Sequence, residues 1–417
     1  MKKEKEEIQK QNLLIGQWDN KKQWKNEIYS MWQEIFKDPE TFADYYYQTM
    51  YEKNRIYTMW AEDDQEVDTN VNDSKKQMVS MQEKTEAKKL CGMIHLNPYQ
   101  MKLQEEVMEL DYIVGVAVDE TMRRRGIMRT MLQTTMEEMR KNKKPFTFLM
   151  PAKEAYYTPF DFRFVSDRFL CHVSFDKSFM DGTLELVSYT EEEQEKLDGF
   201  CHKFWDQFMI APIRTKAYWE QMNKELLAEK GEILLLKRQN QICGYLTYVM
   251  EENTPLIREV VTKESVKEVI ETFAKVKEVK NLKVYLDWFH NLEEIKNIGN
   301  KMQQVSVETV PTIMFRILDV ETMLTKVRAT QESSIVFRLV DTLLPENEGV
   351  YRWTVTKTNA ILEKIKQEET VDIVLTIAEL TERLFGYPKY KMHMEQKEDP
   401  FFDHIIPLSK IYISEIV

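Results

Sequence analysis

Cysteine is scarce in this sequence and follows no metal-binding or disulfide pattern. The 417 residues include four cysteines, and no two of them form a C-x-x-C pair. Because zinc sites and small disulfide frameworks need closely spaced cysteines, neither is expected here. We therefore expect free thiols, no metal site and a reducing, cytoplasmic setting.

Long apolar runs and an excess of basic residues are also missing. No stretch of about 18 apolar residues exists, so we expect no membrane span. The charged start MKKEKEEIQKQN lacks the apolar core of a signal peptide. The formal net charge of −12 argues against nucleic-acid binding, which depends on neutralising phosphates. The same charge suits a cationic substrate such as an amine.

Three common catalytic signatures are absent as well. The sequence has no G-x-x-x-x-G-K-[S/T] loop and no G-x-G-x-x-G, so neither a Walker loop nor a Rossmann fingerprint is present. It also lacks G-x-S-x-G, which excludes the nucleophile elbow of α/β-hydrolases. A phosphate site, if present, must be built differently.

A strand, a basic turn and a helix do follow one another directly. Residues 113–118 form an apolar run typical of a buried strand, and helical spacing begins at residue 127. Three arginines and Gly126 lie between them. The free N–H groups and dipole of a helix start favour an anion, and glycine lets it approach closely. The pattern predicts a pyrophosphate site; the alternative is a solvated arginine run before an ordinary helix.

Two adjacent tyrosines follow the next short strand, residues 146–150. Tyr156 and Tyr157 are followed by Thr158, a proline and several phenylalanines. Aromatic residues in such numbers usually pack in a core. The functional alternative is that one hydroxyl points into a cleft beside the anion site.

The succession of predicted elements begins again near residue 190. A helix at 191–208 precedes strands at 233–236, 243–249 and 257–261, a helix at 266–276 and a strand at 284–288. Residues 259–263, EVVTK, stand where the arginines and glycine stood in the first copy. We therefore expect the second copy to serve packing and the substrate cleft, without binding a pyrophosphate.

A third pattern begins near residue 311. Strands are predicted at 313–318, 335–340, 351–355 and 371–375, and a helix at 377–385 should stop at Gly386. The apolar residues 401–417 are expected to pack against the protein. The chain length also indicates two or three domains.

The strand, the loop and the tyrosine resemble the acetyl-CoA site of GNAT acetyltransferases. Arg123 and Gly126 fit the R-x-x-G part of the GNAT loop, although Met128 stands where a small residue is usual. The whole chain resembles the Eis (enhanced intracellular survival) branch, through VAV at 116–118, RRRGIMR at 123–129, Y-x-x-F from Tyr157 and LFGY at 384–387. That branch combines an active GNAT domain, a degenerate GNAT domain and a domain similar to sterol carrier proteins.

The resemblance implies an α+β fold with a mixed sheet. The active GNAT domain would span residues 1–165, the degenerate one 166–304, and the sterol-carrier-protein-2-like domain 305–417, whose C-terminus reaches the active site. A homo-oligomer, a hexamer in the family, is also implied.

The resemblance further assigns roles to single residues. The general acid is the family's Y-x-x-F tyrosine, here Tyr157, and the general base is the C-terminal carboxylate, here that of Val417. The residues that would bind acetyl-CoA are Val116, Ala117, Val118, Arg123, Arg124, Arg125, Gly126, Ile127, Met128, Arg129, Ala152 and Lys153.

We therefore expect an acetyl-CoA-dependent N-acetyltransferase in which a primary amine attacks the thioester directly. The acceptor could be a lysine side chain, a peptide, a polyamine or an aminoglycoside-like compound. The alternative is a non-catalytic protein that binds CoA, or an apolar ligand in its carrier-like domain. His95 is a weaker candidate base, because a buried histidine is more often a hydrogen-bonded core residue.

Overall fold

The protein is described here from a computed structural model. The structure describes residues 13–17, 21–62, 88–175, 183–293, 305–366, 370–387 and 400–415. Within these ranges no helix is both long enough and apolar enough to cross a membrane. Val417, the predicted base, lies outside the described residues.

Strands and helices alternate along the chain. The strands are β1 Leu13–Gln17, β2 Arg55–Glu62, β3 Lys88–Leu103, β4 Glu106–Val118, β5 Phe146–Leu149, β6 Arg163–Ser174, β7 Glu185–Ser188, β8 Ile210–Pro212, β9 Glu232–Arg238, β10 Gln241–Glu251, β11 Thr254–Thr262, β12 Asn281–Leu286, β13 Val305–Ile317, β14 Ser333–Val340, β15 Gly349–Val355, β16 Ala360–Ile365 and β17 Ile373–Thr376. The helices are α1 Lys21–Phe36, α2 Glu40–Thr49, α3 Ile127–Lys141, α4 Glu154–Tyr157, α5 Gln194–Trp205, α6 Lys216–Ala228, α7 Val266–Val276, α8 Val320–Leu324, α9 Ile377–Phe385 and α10 Pro400–Asp403.

One large mixed sheet dominates the fold. Its strand order is β1-β2-β3-β4-β5-β13-β6-β12-β11-β10-β9-β7, and β8 pairs with β3. A separate small sheet has the order β16-β15-β14-β17. Helix α9 ends at Gly386, which adopts the left-handed φ of +63° that glycine tolerates. The predicted mixed α+β class is confirmed.

The buried helix faces follow the spacing that the sequence shows. In α3, Met131, Met136 and Met139 are fully buried and pack with the strands of the first copy. In α7, Val269 and Phe273 do the same in the second copy. Apolar residues at three- and four-residue spacing form one stripe of a helix, which explains why each helix covers its sheet in this orientation.

The two copies lie side by side in the large sheet and exchange their last strands. In the first copy β4 pairs with β5 in parallel, and in the second β11 pairs with β12 in parallel. However, β6 follows β5 in the chain yet pairs with β12, whereas β13 follows β12 and pairs with β5. Strands β6 and β13 also pair with each other, so the two copies share the centre of one sheet.

This exchange bears on the predicted domain division. Strand β6 runs through residue 165, where the first domain was predicted to end. This strand was not predicted from the sequence. In the structure Cys171 and Val173 are buried and alternate with the exposed His172 and Ser174. The division into 1–165, 166–304 and 305–417 stays a prediction.

The described part of the C-terminal segment, residues 400–415, packs into the interior, as the sequence predicted. Its residue Ile405 bridges to Ala329 near the small sheet. Further on, the Tyr412 N–H donates to the Ile210 carbonyl of β8 at 2.9 Å. The segment therefore runs from the small sheet to the junction of the two copies.

Candidate active site

Strand β4 leaves β5 near the middle of the large sheet. The two strands pair only at Tyr112 and Phe148, within the described chain. A β-bulge lies just beyond this pair, and Gly115 adopts a φ of +56° there. A Cβ at Gly115 would lie 2.5 Å from Trp32 Cζ3, so this position requires glycine. Residues 113–118 therefore have no paired β5 residue in the described chain, and we call this opening between the two strands the cleft.

The basic loop connects this free part of β4 to helix α3. Asp119 accepts a hydrogen bond from Thr121 N at 2.9 Å and caps a short 3₁₀ turn. Arg124 and Gly126 then adopt left-handed φ values of +64° and +80°. Gly126 is the N-cap of α3 and has no side chain to cap the first N–H groups. These groups are therefore available to an anion.

The arginines of this loop differ in exposure. Arg123 and Arg124 are exposed, and Arg123 Nη1 donates to Glu120 Oε1 at 3.1 Å. Arg129 is half-buried, and its guanidinium carbon lies 5.2 Å from the centre of the Phe160 ring. This contact brings the start of α3 against the segment that carries Tyr157.

Tyr157 ends helix α4 and is almost completely buried. Its ring meets Phe162 edge to face, with ring centres 5.9 Å apart. Burial, and then the neighbouring Tyr156, raise the pKa of Tyr157 to about 12. Tyr156 itself is 50% exposed. The Tyr157 hydroxyl therefore stays protonated at neutral pH and can act as a proton donor.

A buried arginine holds the turn that follows Tyr157. Arg316, in β13, donates from Nε to the Phe160 carbonyl at 2.9 Å and from Nη2 to Asp341 Oδ1 at 2.6 Å. Asp341 follows strand β14 of the small sheet and also accepts from the backbone N–H of Leu344 at 2.9 Å. The turn is thereby connected to the C-terminal region.

A second arginine makes a similar connection. Arg163 Nη1 donates to the Thr158 carbonyl at 3.2 Å, and its Nε donates to Glu382 Oε1 at 2.7 Å. Glu382 belongs to helix α9. Two residues of the C-terminal region thus fix the turn after Tyr157, each through one arginine.

The predicted acetyl-CoA residues fall on three consecutive parts of the chain around the cleft. Val116 and Val118 are half-buried on the free part of β4, and Ala117 is buried. Residues 123–129 form the loop and the start of α3. Ala152 and Lys153 are exposed between β5 and Tyr157. Their binding of acetyl-CoA stays a prediction.

A small cavity lies where the two copies and the C-terminal segment meet. It is lined by the carboxylates of Glu225, Glu259 and Glu415 together with Tyr99 and Tyr218. Its volume is about 30 Å³, which is enough for a small polar group. Arg258 also lines the cavity and Arg214 neutralises Glu259, so Glu225 and Glu415 are the acids that could receive a cation there.

Glu415 connects this cavity to the cleft. Its carbonyl accepts from Tyr112 Oη at 3.2 Å, at the residue where β4 leaves β5. Its Oε1 accepts from the Tyr218 hydroxyl, whereas its Oε2 has no hydrogen-bond partner among the described residues. Burial raises the pKa of Glu415. Because the predicted base Val417 follows two residues later, outside the described residues, its role stays a prediction.

Glu225, on helix α6 of the second copy, is a second acid of this cavity whose pKa is raised. Its Oε1 lies 3.9 Å from Arg258 Nη1, and its Oε2 accepts from Tyr45 Oη at 3.4 Å. Burial raises the pKa of Glu225 to about 8, because Arg258 offsets the effect only in part and Glu229 adds to it. Glu225 was missed in the sequence, where a glutamate on an amphipathic helix indicates a solvent-facing position.

His95 is a hydrogen-bonded core residue, which is the more common role of a buried histidine. It is fully buried, and its Nδ1 lies 3.1 Å from Tyr46 Oη. Trp32 packs beside it with ring centres 5.3 Å apart. Within the described ranges, no group of three potential metal ligands is found, and the four cysteines are free.

Two parts of the chain match known family models. Residues 20–165 match the acetyltransferase (GNAT) domain, and residues 320–392 match the sterol carrier protein domain. The chain is a GNAT-family N-acetyltransferase with a C-terminal sterol carrier protein domain. The GNAT match includes Tyr157 and every residue predicted to bind acetyl-CoA, and the sterol carrier match includes Asp341 and Glu382.

Solved structures share the Eis-like fold of this acetyltransferase over nearly its whole length. A conserved Enterococcus faecalis protein described as a probable N-acyltransferase has a TM-score of 0.69 and 13% identity, covering 96% of this chain and 97% of its own. A GCN5-related N-acetyltransferase from Anabaena variabilis has a TM-score of 0.69 and 14% identity, covering 96% and 98%. Eis1 from Mycobacterium abscessus has a TM-score of 0.63 and 13% identity, covering 97% and 99%. No curated protein matches the sequence.

Proposed function

We propose that the protein transfers the acetyl group of acetyl-CoA to a primary amine held in the acid-lined cavity. The observation that carries the proposal is the junction at Tyr112, where the cleft between β4 and β5 meets the cavity through Glu415. The arginines of the loop lie at the far end of the cleft, whereas three acids line the cavity together with one arginine, Arg258. This separation of charge suits a polyanionic donor and a cationic acceptor.

The donor side is supported by the loop and the free strand. The pyrophosphate would lie against the N–H groups around Gly126, with charge from Arg123, Arg124 and Arg125. The thioester would lie along residues 116–118. A backbone N–H near Val118 would donate to the thioester oxygen and stabilise the oxyanion that forms there.

The acceptor side is supported by Glu225 and Glu415. Glu415 Oε2 is a buried carboxylate oxygen without a partner in the described structure, and an ammonium group would supply the missing hydrogen bond. The small cavity suits the end of an aminoalkyl chain. A lysine side chain, a peptide, a polyamine and an aminoglycoside-like compound all remain candidate acceptors.

The chemistry needs three proton transfers. The bound ammonium first loses a proton to a carboxylate, and the neutral amine attacks the thioester carbon. The nitrogen loses its second proton to solvent as the carbon–sulfur bond breaks. Tyr157 donates its hydroxyl proton to the departing thiolate and recovers it from solvent. We assign the base to the Val417 carboxylate, as the family resemblance implies. Positioned acid catalysis of this kind contributes about 10²–10⁴-fold.

The proposal is tested with an amine panel in which thiol release from acetyl-CoA is measured. Acceptors from each of the four classes are offered with and without enzyme, and products are identified by mass spectrometry. We expect saturable release with at least one class, and a product whose mass equals that of the amine with one hydrogen replaced by an acetyl group. Tight binding of acetyl-CoA with no amine-stimulated release would overturn it.

The binding-protein alternative has less support from the small sheet. Its inner face is filled by the protein's own side chains, with Phe337 and Trp353 almost completely buried. The Trp353 ring packs against Phe401, with centres 5.1 Å apart.

The predicted homo-oligomer is a separate proposal, which light scattering after size exclusion would test.

A further inference from the structure

The second copy has its own pair of parting strands. Strand β11 pairs with β12 at Leu256 and Ile257 and then leaves it, just before a β-bulge in its pairing with β10. This is the arrangement of β4 and β5 in the first copy. Glu259 lies two residues beyond Ile257, in the part of β11 that has left β12.

Glu259 forms a buried ion pair at this point. Its two carboxylate oxygens lie 2.8 and 2.7 Å from the Arg214 guanidinium, and each side chain is 1% exposed. Burial alone would raise the pKa of Glu259, but Arg214 outweighs it and keeps that pKa below its ordinary value. The Trp205 and Trp219 rings lie 4.6 and 5.4 Å from the guanidinium carbon. The pair is therefore charged, rigidly held and shielded from water.

The C-terminal segment binds to this pair. Tyr412 Oη donates to Glu259 Oε1 at 2.5 Å, and Ser414 Oγ donates to the same oxygen at 3.0 Å. Arg214 Nη2 donates to Ser414 Oγ at 3.0 Å. The Tyr412 ring stacks on Phe208 with centres 5.0 Å apart. One residue after Ser414, the Glu415 carbonyl reaches Tyr112 in the first copy.

We infer that the cleft of the second copy is an intramolecular docking site for residues 412–415, and that Arg214 and Glu259 are positioning residues for the first copy's active site. The docked ligand is a stretch of peptide that offers a phenol and a hydroxyl to a carboxylate. The docking is inferred from these contacts alone. The expected effect on acetyl transfer also depends on the proposed function. A buried ion pair that fixes one arrangement of the chain is a recognised use of such a pair.

The test removes the tail's side of the contact and leaves the ion pair intact. The variant Tyr412→Phe/Ser414→Ala loses both hydrogen bonds to Glu259 while the Tyr412 ring stays in place. Each hydrogen bond to a charged group is worth about ten-fold or more in an equilibrium. The matched control, Tyr29→Phe/Ser174→Ala, loses the hydroxyl bonds to Asp44 and Asn281 at exposed sites.

Carboxypeptidase digestion followed by mass spectrometry reports the docking without any assay of acetyl transfer. In the wild type and the control, removal of residues should stop before Tyr412. In the double variant it should pass Tyr412, at a rate at least about ten-fold higher. Equal digestion of the variant and the wild type would overturn the inference. Ser414→Ala alone is the milder variant if the double variant does not fold, and it should also be digested faster.

Steady-state kinetics reports the positioning role. The double variant should lose about ten-fold or more in kcat/KM for the amine, while the Kd for acetyl-CoA stays within two-fold of the wild type. Faster digestion with an unchanged kcat/KM would show that the tail docks without positioning the active site. If no amine is acetylated by the wild type, the proposed function fails while the digestion result still decides the docking.

Discussion

The two copies open the same kind of cleft and fill it differently. In the first, β4 leads into the arginine loop, where Gly126 exposes the first N–H groups of α3. In the second, β11 leads through the buried Glu259 into a three-residue connection. Glu264 lies in this connection, and Glu268 lies in the first turn of α7. Their carboxylates accept hydrogen bonds from Arg238 Nη2 at 2.9 and 2.8 Å. The fold supplies the cleft in both copies, and we propose that a few residues at the strand's end select an anion in the first copy and the protein's own tail in the second.

The largest expected effect concerns Tyr157 in the first copy. Tyr157→Phe should lower kcat by about 10²-fold or more, because the thiolate loses its proton donor. The Kd for acetyl-CoA should not change. Since the pKa of Tyr157 is about 12, its ionisation should cause no change in the wild-type kcat between pH 7 and about 10.

Tyr156→Phe is the matched control for this prediction. Tyr156 is 50% exposed, so its hydroxyl is expected to contribute less than two-fold to kcat. If Tyr157→Phe retains most of the wild-type kcat, Tyr157 is not the acid and the two copies differ less than proposed.

The next effect concerns the glycine of the loop. Gly126→Ala places a Cβ at a φ of +80° and in the path of the pyrophosphate, so we expect the Kd for acetyl-CoA to rise by about 10- to 100-fold. Isothermal titration measures this change. Gly199→Ala, on helix α5 of the second copy, is the control, since a Cβ there meets nothing within 4 Å. An equal Kd in both variants would remove the anion site from the loop.

A smaller effect tests whether the second copy completes the first copy's acceptor site. The pKa of Glu225 is about 8, so its carboxylate charge appears as the pH rises through that value. The KM for a cationic amine should therefore fall by about five- to ten-fold between pH 7 and 9, and Glu225→Gln should abolish this step. Glu220→Gln, about one turn earlier on α6, should keep it. A step that persists in Glu225→Gln belongs to another group.

The smallest effect concerns the link from the sterol carrier domain to Tyr157. Glu382→Gln weakens the bond to Arg163 but can still accept from it, so kcat should fall about two- to three-fold and the melting temperature by about 2 °C or less. Lys196→Met removes an exposed ion pair with Glu193 and should change neither quantity. An unchanged kcat in Glu382→Gln would mean that the turn does not need this contact.

Most of the first copy's candidate site could be predicted from local sequence patterns. The apolar run of β4, the glycine at residue 126 and the helical spacing of α3 are each visible within about twenty residues, because strand, turn and helix preferences are local. The same holds for α9 and its stop at Gly386. The position of Tyr157 was likewise indicated by its place after a short strand.

Contacts between residues far apart in the chain could not be predicted from local sequence patterns. Arg214, Glu259 and Ser414 meet across up to 200 positions of the chain, and charged residues usually indicate solvent exposure in a sequence. Glu225 and Glu415 were missed for the same reason. The resemblance directed attention to the chain's terminal carboxylate, whereas the described structure brings the Glu415 side chain to the cavity.

The exchange of β6 and β13 also sets an order of events during synthesis. Leu149 at the end of β5 pairs with Met314, which is made 165 residues later. At about 5–20 residues per second, the first copy's sheet must wait roughly 8–30 s for its neighbouring strand. During that time the edge of β5 is open to other chains, so ribosome-bound intermediates of this enzyme should depend on chaperones more than its finished form does.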